Sequence, residues 1–206
     1  MSNRHYISNS HESTQMFKSS LFEKLSKVHF SVPLFLYIPV IAWCCWTALF
    51  VQQSGVIIWA LSIAAGLFVW SFVEYVMHRF VFHFEPSSKW GRRLHFIFHG
   101  VHHDYPNDAL RLVLPPSVSI PLATGFFFLF KSFIPEVYFY GFFAGFIAGY
   151  LFYDISHYAL HHFNFKGRFW KKLKKHHMMH HYADATRGYG VSSSFWDKIF
   201  RSDFQK

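Results

Sequence analysis

Sixteen of the 206 residues are histidine, and ten of these fall into short patterns in two successive halves of the chain. His78 and His83 read H-x4-H, and His99, His102 and His103 read H-x2-H-H. Farther on, His157 and His161 read H-x3-H, and His177, His180 and His181 repeat H-x2-H-H. Imidazole suits iron, copper, zinc or nickel, and ten imidazoles exceed the six or fewer positions around one ion, so two metals sharing the set is the simplest count. Hydrolytic zinc needs fewer ligands, and a blue-copper site needs a cysteine that these segments lack. Two ions ringed by nitrogen beside apolar chain suggest activation of oxygen against an unactivated C–H bond.

Positions i, i+3 and i+4 fall within an arc of about 100° on a helix. Each triplet can therefore present three imidazoles in one direction, and His157 and His161 can present two. The pair His78 and His83 is less regular, because i+5 lies about 140° round a helix, so a bulge or a helix end is expected between them. A metal-bound imidazole usually donates its other N–H to a carboxylate or carbonyl. Glu74, four residues before His78, Asp154, three before His157, and Asp184, three after His181, are within reach for that role. His5, His11 and His29 fit no pattern and read as surface residues; His95, His162 and His176 adjoin the motifs but break their spacing and read as bystanders.

The elements that must position these groups are apolar helices. Only 15% of residues are charged while 52% are apolar and 22% aromatic, against about 25% charged in a soluble domain. This composition predicts an all-α integral membrane protein. Residues 1–16 are polar and aperiodic, without the features of a signal peptide, and read as a disordered, mobile tail. Residues 17–28 have apolar positions at helical spacing with Lys18, Lys24 and Lys27 between them, a basic amphipathic helix for the membrane surface. Four spans are expected at about 33–51, 56–77, 112–130 and 137–156, the third kinked or interfacial at first because of Pro115, Pro116 and Pro121. Residues 17–206 then form one membrane-embedded domain, with His-rich segments 78–111 and 157–206 outside the bilayer.

Basic residues orient this set. Arg4, Lys18, Lys24 and Lys27 precede the first span, none lies in the first connection, and Arg79, Lys89, Arg92, Arg93 and Arg111 follow the second. Lys131 alone separates the third and fourth, and ten basic residues follow the fourth. Both termini and both His-rich segments are therefore expected in the cytoplasm. The net charge of +9, in so apolar a chain, is matched to anionic lipid rather than to nucleic acid. Cys44 and Cys45, adjacent in an apolar run, form no disulfide framework.

The segments H78-RFVF-H83, H99-GV-HH103, D154-ISHYALHH162, K174-KHHMMHHY182 and G190-VSSSFWDKIF200 resemble the fatty acid hydroxylase branch of the sterol desaturase and hydroxylase superfamily, most closely the catalytic domain of fatty acid 2-hydroxylases. The resemblance covers roughly residues 21–200. It implies four transmembrane helices with a cytosolic helical cap holding a dimetal centre, whose ligands would be His78, His83, His99, His102, His103, His157, His161, His177, His180 and His181. It further implies two iron ions, replaceable by zinc in purified material, with O2 as co-substrate. The product would carry a hydroxyl at carbon 2 of a long-chain fatty acid or of a sphingolipid acyl chain. Many relatives carry a cytochrome b5 domain ahead of the membrane part, and residues 1–16 are too few for one. An external donor such as cytochrome b5, or ferredoxin with its reductase, is therefore expected, in a bacterial inner membrane or the endoplasmic reticulum. A carotenoid ring hydroxylase or a sterol oxidase of the same superfamily is the nearest alternative. A membrane metal transporter would need polar ligands inside the spans, and an axial-His haem carrier would leave both triplets unused.

Overall fold

Residues 32–51 contain no charged side chain and 56–76 only Glu74, so each can satisfy its backbone polar groups only internally, as helix, wherever water is excluded. The computed structural model, which describes residues 6–204, forms them as α2 (Val32–Trp46), continuing in a π-helical turn to Val51, and α3 (Val56–Val76), continuing in a π-helical turn over Met77–Phe82. Gly55, at φ +75°, makes the turn between them in a conformation that costs other residues strain. Both are long and apolar enough to cross a membrane, and they point large apolar side chains outward, Phe35 79% and Ile57 76% exposed. A shorter apolar helix, α6 (Pro116–Lys131), begins at the second of two prolines, where proline's fixed φ suits the first helical turn. The expected start at residue 112 is too early, because the residue before a proline is pushed out of the helical region.

The longest helix, α7 (Glu136–His162), spans about 40 Å and runs through the middle of the other three, burying Phe139, Phe143, Phe146 and Ile147. Its contact with α3 is close because small residues meet there. A Cβ on Gly145 would stand 2.1 Å from the Ile63 carbonyl oxygen, and one on Gly66 2.0 Å from that of Phe142. No side chain fits at either position, and the two backbones touch. α7 continues six residues past the expected 156, since Leu160 packs with Leu173 and Val191 in a second small core.

Between α3 and α6 lie α4 (Lys89–His95), whose N-terminal Ser88 hydroxyl accepts the Gly91 N–H at 3.0 Å, a π-helical turn over Phe96–Gly100, and α5 (Val101–Asp104). After α7 come α8 (Arg168–Tyr182) and α9 (Phe195–Ile199). Among the described residues all regular structure is helical. The amphipathic helix expected over 17–28 is shorter, α1 (Ser20–Ser26). Residues 1–5 of the expected mobile tail lie outside the described residues. Residues 6–16 have no helix but are tethered: the N–H groups of Ile7 and Ser8 donate to the Asp104 carbonyl, and Thr14 N–H donates to Asp108.

Candidate metal centre

The ten histidines of the four motifs come together at the ends of α3 and α7, with α4–α5 and α8 closing over them, and they divide into two groups of five. His78, His83, His99, His103 and His180 form one; His102, His157, His161, His177 and His181 form the other. The triplets were expected to point one way, and the structure divides each of them. In both, the i and i+4 members join one group and the i+3 member crosses to the other. His99 and His103 lie with His180, while His177 and His181 lie with His102. The expected irregularity at His78 and His83 is the π-helical turn Met77–Phe82, in which the His83 N–H donates to the His78 carbonyl at 3.1 Å. An i→i+5 bond stacks the two residues that a regular helix would splay apart.

Seven of the ten are buried, with His83, His103 and His161 partly so. Burial, then the crowding of like imidazoles, pushes His83 down to about 2 and holds His99, His102, His103, His177 and His181 well below the ordinary value. Burial also takes His180 down to about 4, against the pull of the Arg187 carbonyl. These rings are neutral at physiological pH, the protonation state a metal ligand needs.

The nitrogen geometry fits an ion better than a hydrogen-bonded cluster. The Nε2 atoms of His78, His83 and His99 stand 3.2 Å from one another in all three pairs. A carbonyl oxygen can only accept, which assigns the proton of His78 to Nδ1, facing the Tyr189 carbonyl, and that of His180 to Nδ1, 2.7 Å from the Arg187 carbonyl. Their Nε2 atoms therefore bring lone pairs into the group, and a triangle of such contacts cannot be satisfied by protons alone. In the second group His157 meets His102 and His161 meets His177 at 2.8 Å through Nε2, and neither nitrogen of His181 has a hydrogen-bond partner. Nitrogens bound about 2.0–2.1 Å from a shared ion stand about 2.9–3.4 Å apart, close to these spacings. Ten imidazoles without a carboxylate suit late first-row divalent ions.

The three carboxylates expected behind the ligands act elsewhere. Glu74 accepts the N–H groups of Val191 and Ser192, at 2.9 and 2.8 Å. Asp154 accepts the Leu114 N–H at 3.1 Å and the Tyr150 hydroxyl at 3.3 Å. Asp184 bonds to Thr186 and pairs with Arg187 at the surface. Helical spacing brought Glu74 and Asp154 near the motifs, but their rotamers face neighbouring loops, and at His78 and His180 backbone carbonyls take the imidazole N–H instead. A residue that the spacing argument passed over, Asp197, is fully buried and accepts from Tyr189, Gly190, Ser202 and His176. The unusual G190-VSSSFWDKIF200 segment was its only sequence signal.

A cavity of about 340 Å3 abuts the centre. His99 of one group and His102 and His157 of the other form part of its wall; the rest is largely apolar and includes Trp70, Val73, Phe126, Phe146 and Ile147. Toward α1 it is bounded by Phe17, Phe22 and Leu25, with Arg111 held between Glu23 at 2.5 Å and Asp108 at 3.9 Å.

The chain resembles proteins of known activity over most of its length. A dihydroceramide fatty acyl 2-hydroxylase of Arabidopsis thaliana is 37% identical over 190 residues, 92% of this chain and 79% of that protein. Fatty acid 2-hydroxylase of Mus musculus is 37% identical over 91% of this chain and 56% of its own length. A ceramide very long chain fatty acid hydroxylase of Saccharomyces cerevisiae is 37% identical over 88% of this chain and 47% of its own length, so the chain spans about half of these two relatives. The solved structure of scs7p, with only its hydroxylase domain visible, superposes with a TM-score of 0.86 at 36% identity, covering 92% of this chain and 71% of that one. The sequence profile described as fatty acid hydroxylase matches residues 63–202, and the chain belongs to that family.

Proposed function

We propose that the chain is an O2-dependent membrane hydroxylase that places a hydroxyl on carbon 2 of a long-chain acyl group, free or within a sphingolipid. The observation that carries this reading is the largely apolar cavity whose wall includes histidines of both groups, His99 from one and His102 and His157 from the other. Its volume lies in the usual range for a ligand site. Relatives named for dihydroceramide, ceramide and fatty acids support the substrate class.

Residues 17–206 form the membrane-embedded domain, with four spans built on α2, α3, α6 and α7, a cytosolic cap around the ten histidines, and both termini cytoplasmic. The Lys and Arg asymmetry supports this orientation. The ten histidines hold two iron ions, which when bound supply the activation of O2 and the oxidation of the C–H bond. The side chains bind and orient. Phe126, Phe146 and Ile147 take the acyl tail, the apolar wall excludes water, and the imidazoles stand beside the first carbons of a chain whose polar end stays at head-group level. One oxygen atom enters the C–H bond and the other leaves as water, which consumes two protons and two electrons from an external donor of the cytochrome b5 or ferredoxin type.

Expression in a host lacking 2-hydroxy lipids, followed by mass spectrometry of the acyl chains, tests the assignment. New 2-hydroxy acyl chains that depend on O2 and disappear with His102→Ala are expected. Mid-chain hydroxylation, or hydroxylated carotenoids or sterols instead, would overturn it.

A further inference from the structure

Resting on the dimetal reading, we propose that Asp197 is a positioning residue for one metal site and not the other, acting through a single peptide group on His78. The peptide between Tyr189 and Gly190 has its N–H on Asp197 Oδ2, at 2.8 Å, and its carbonyl oxygen on the Nδ1–H of His78. A trans peptide is a rigid plane with those two groups on opposite sides. Asp197, whose hydrogen bonds go to Tyr189, Gly190, Ser202 and His176 and to none of the ten histidines, therefore fixes the oxygen that fixes the His78 ring. Its charge also polarises the intervening amide, and hydrogen bonds linked in this way strengthen one another. A carbonyl made more basic pulls harder on the His78 proton, and the opposite ring nitrogen becomes a better donor to a metal.

The surroundings are built for this contact. Asp197 is wholly buried and also accepts the Tyr189 N–H at 2.9 Å, the Ser202 hydroxyl at 2.8 Å and His176 Nε2–H at 3.2 Å. At Gly190 an added Cβ would lie 2.0 Å from the Ser193 carbonyl oxygen and 2.9 Å from Asp197 Oδ2, so only glycine lets the backbone come this close. The same loop supplies the Arg187 carbonyl to His180. Both histidines belong to one group. In the other group the Nδ1 atoms of His102, His177 and His181 have no hydrogen-bond partner among the described residues, and the backbone that faces His161 is that of Pro106, far in sequence from Asp197.

The test counts and times metal in the protein in detergent, loaded with Fe2+. The wild type should hold two ions per chain, and a chelator should remove them in two phases. Asp197→Asn, which turns an amide N–H2 toward donors that need an acceptor, should weaken one ion by about 10- to 100-fold and hasten only that phase, with the melting profile of the loaded protein showing a folded chain. In an Asp197→Asn/His157→Ala double variant neither ion should be held firmly. Unchanged binding of both ions in Asp197→Asn, or equal weakening of both in a folded chain, would overturn the proposal, since general loosening does not choose between groups. If Asp197→Asn is not recovered folded, Ser202→Ala removes one of the four donors and should speed release of the same ion several-fold; two unchanged phases there count equally against it. A wild-type chain that holds one ion or none fails the dimetal reading itself.

Discussion

His83 lies over His78 by virtue of one main-chain hydrogen bond that reaches back five residues, 3.1 Å from nitrogen to carbonyl oxygen, which leaves the two imidazole centroids 4.9 Å apart. The extra residue is taken up in the π-helical turn Met77–Phe82, and a second such turn, Phe96–Gly100, contains His99. His83 and His99 thus depend for their placement on local underwinding of a helix, a device that recurs at functional sites because it re-aims side chains without breaking the helix.

Adding one more residue to that turn should be destructive. An alanine inserted between Phe80 and Val81, both exposed, rotates His83 by about 100° relative to His78. The expected result is a folded protein with one firmly bound ion and no hydroxylated product, measured by metal analysis and lipid mass spectrometry. Two ions and ordinary turnover would show that His83 is not needed where it stands.

The spacing of the ten histidines singled them out in the sequence, because side chains that converge from helices onto one place recur at helical intervals whatever surrounds them. How they divide was not legible. Positions i, i+3 and i+4 look equivalent on one face, and only the tertiary placement of His102 beside His157 of α7 and His181 of α8, with ring centroids 4.4 and 4.5 Å away, separates it from His99 and His103. The carboxylates show the converse limit: Glu74 and Asp154 have suitable spacing, yet side-chain direction depends on the loops they meet, Val191–Ser192 and Leu114. The apolar helices α2 and α3 were visible from composition, whereas the tethering of residues 6–16 rests on isolated bonds to Asp104 and Asp108 that leave no periodic trace.

The division of the triplets makes a sharper prediction than loss of activity. His102→Ala and His180→Ala should each abolish product, but each should loosen a different ion, His102→Ala the one held with His157 and His161, His180→Ala the one held with His78 and His83. Combining His102→Ala with His157→Ala should cost no second ion, whereas combining it with His180→Ala should. His11→Ala, at an exposed position, should leave metal and product unchanged. Metal counts that ignore this grouping would refute the assignment of ligands.

Close approach of α3 and α7 holds the two ends of the centre in register, since one helix leads to His78 and the other carries His157 and His161. Gly145→Leu cannot be accommodated against the Ile63 carbonyl and should destabilise the protein by at least about 1–3 kcal/mol, as overpacking does. Gly125→Leu, at a glycine with open space around it, should be tolerated. Thermal unfolding in detergent and metal retention measure both; equal melting temperatures would mean the helices can slide apart without cost.

Glu23 offers a pH-dependent test away from the metals. Its Oε2 accepts the N–H groups of Met16 and Phe17, both at 3.0 Å, while Oε1 meets Arg111 at 2.5 Å and Lys27 at 3.1 Å. Burial alone would raise this carboxyl, but the Phe17 and Met16 amides and the Lys27 and Arg111 charges outweigh it and bring it down to about 2 from an ordinary 4.5. A carboxylate lowered by folding stabilises the folded arrangement fully above its unfolded value, and that contribution is lost as pH falls from 4.5 toward about 2. Met16, Phe17, Phe22 and Leu25 bound the cavity beside these contacts, so protonation should release that edge while the helices stay packed. Hydrogen exchange at the Met16 and Phe17 amides, corrected for intrinsic rates, should accelerate across that pH window in the wild type. Glu23→Gln should exchange fast already at neutral pH, with an opening free energy lower by about 1–3 kcal/mol for loss of a charged acceptor, and its protection should no longer vary with pH between 2 and 4.5. Identical protection in Glu23→Gln and wild type at neutral pH would mean that other contacts hold this edge and that Glu23 only follows it.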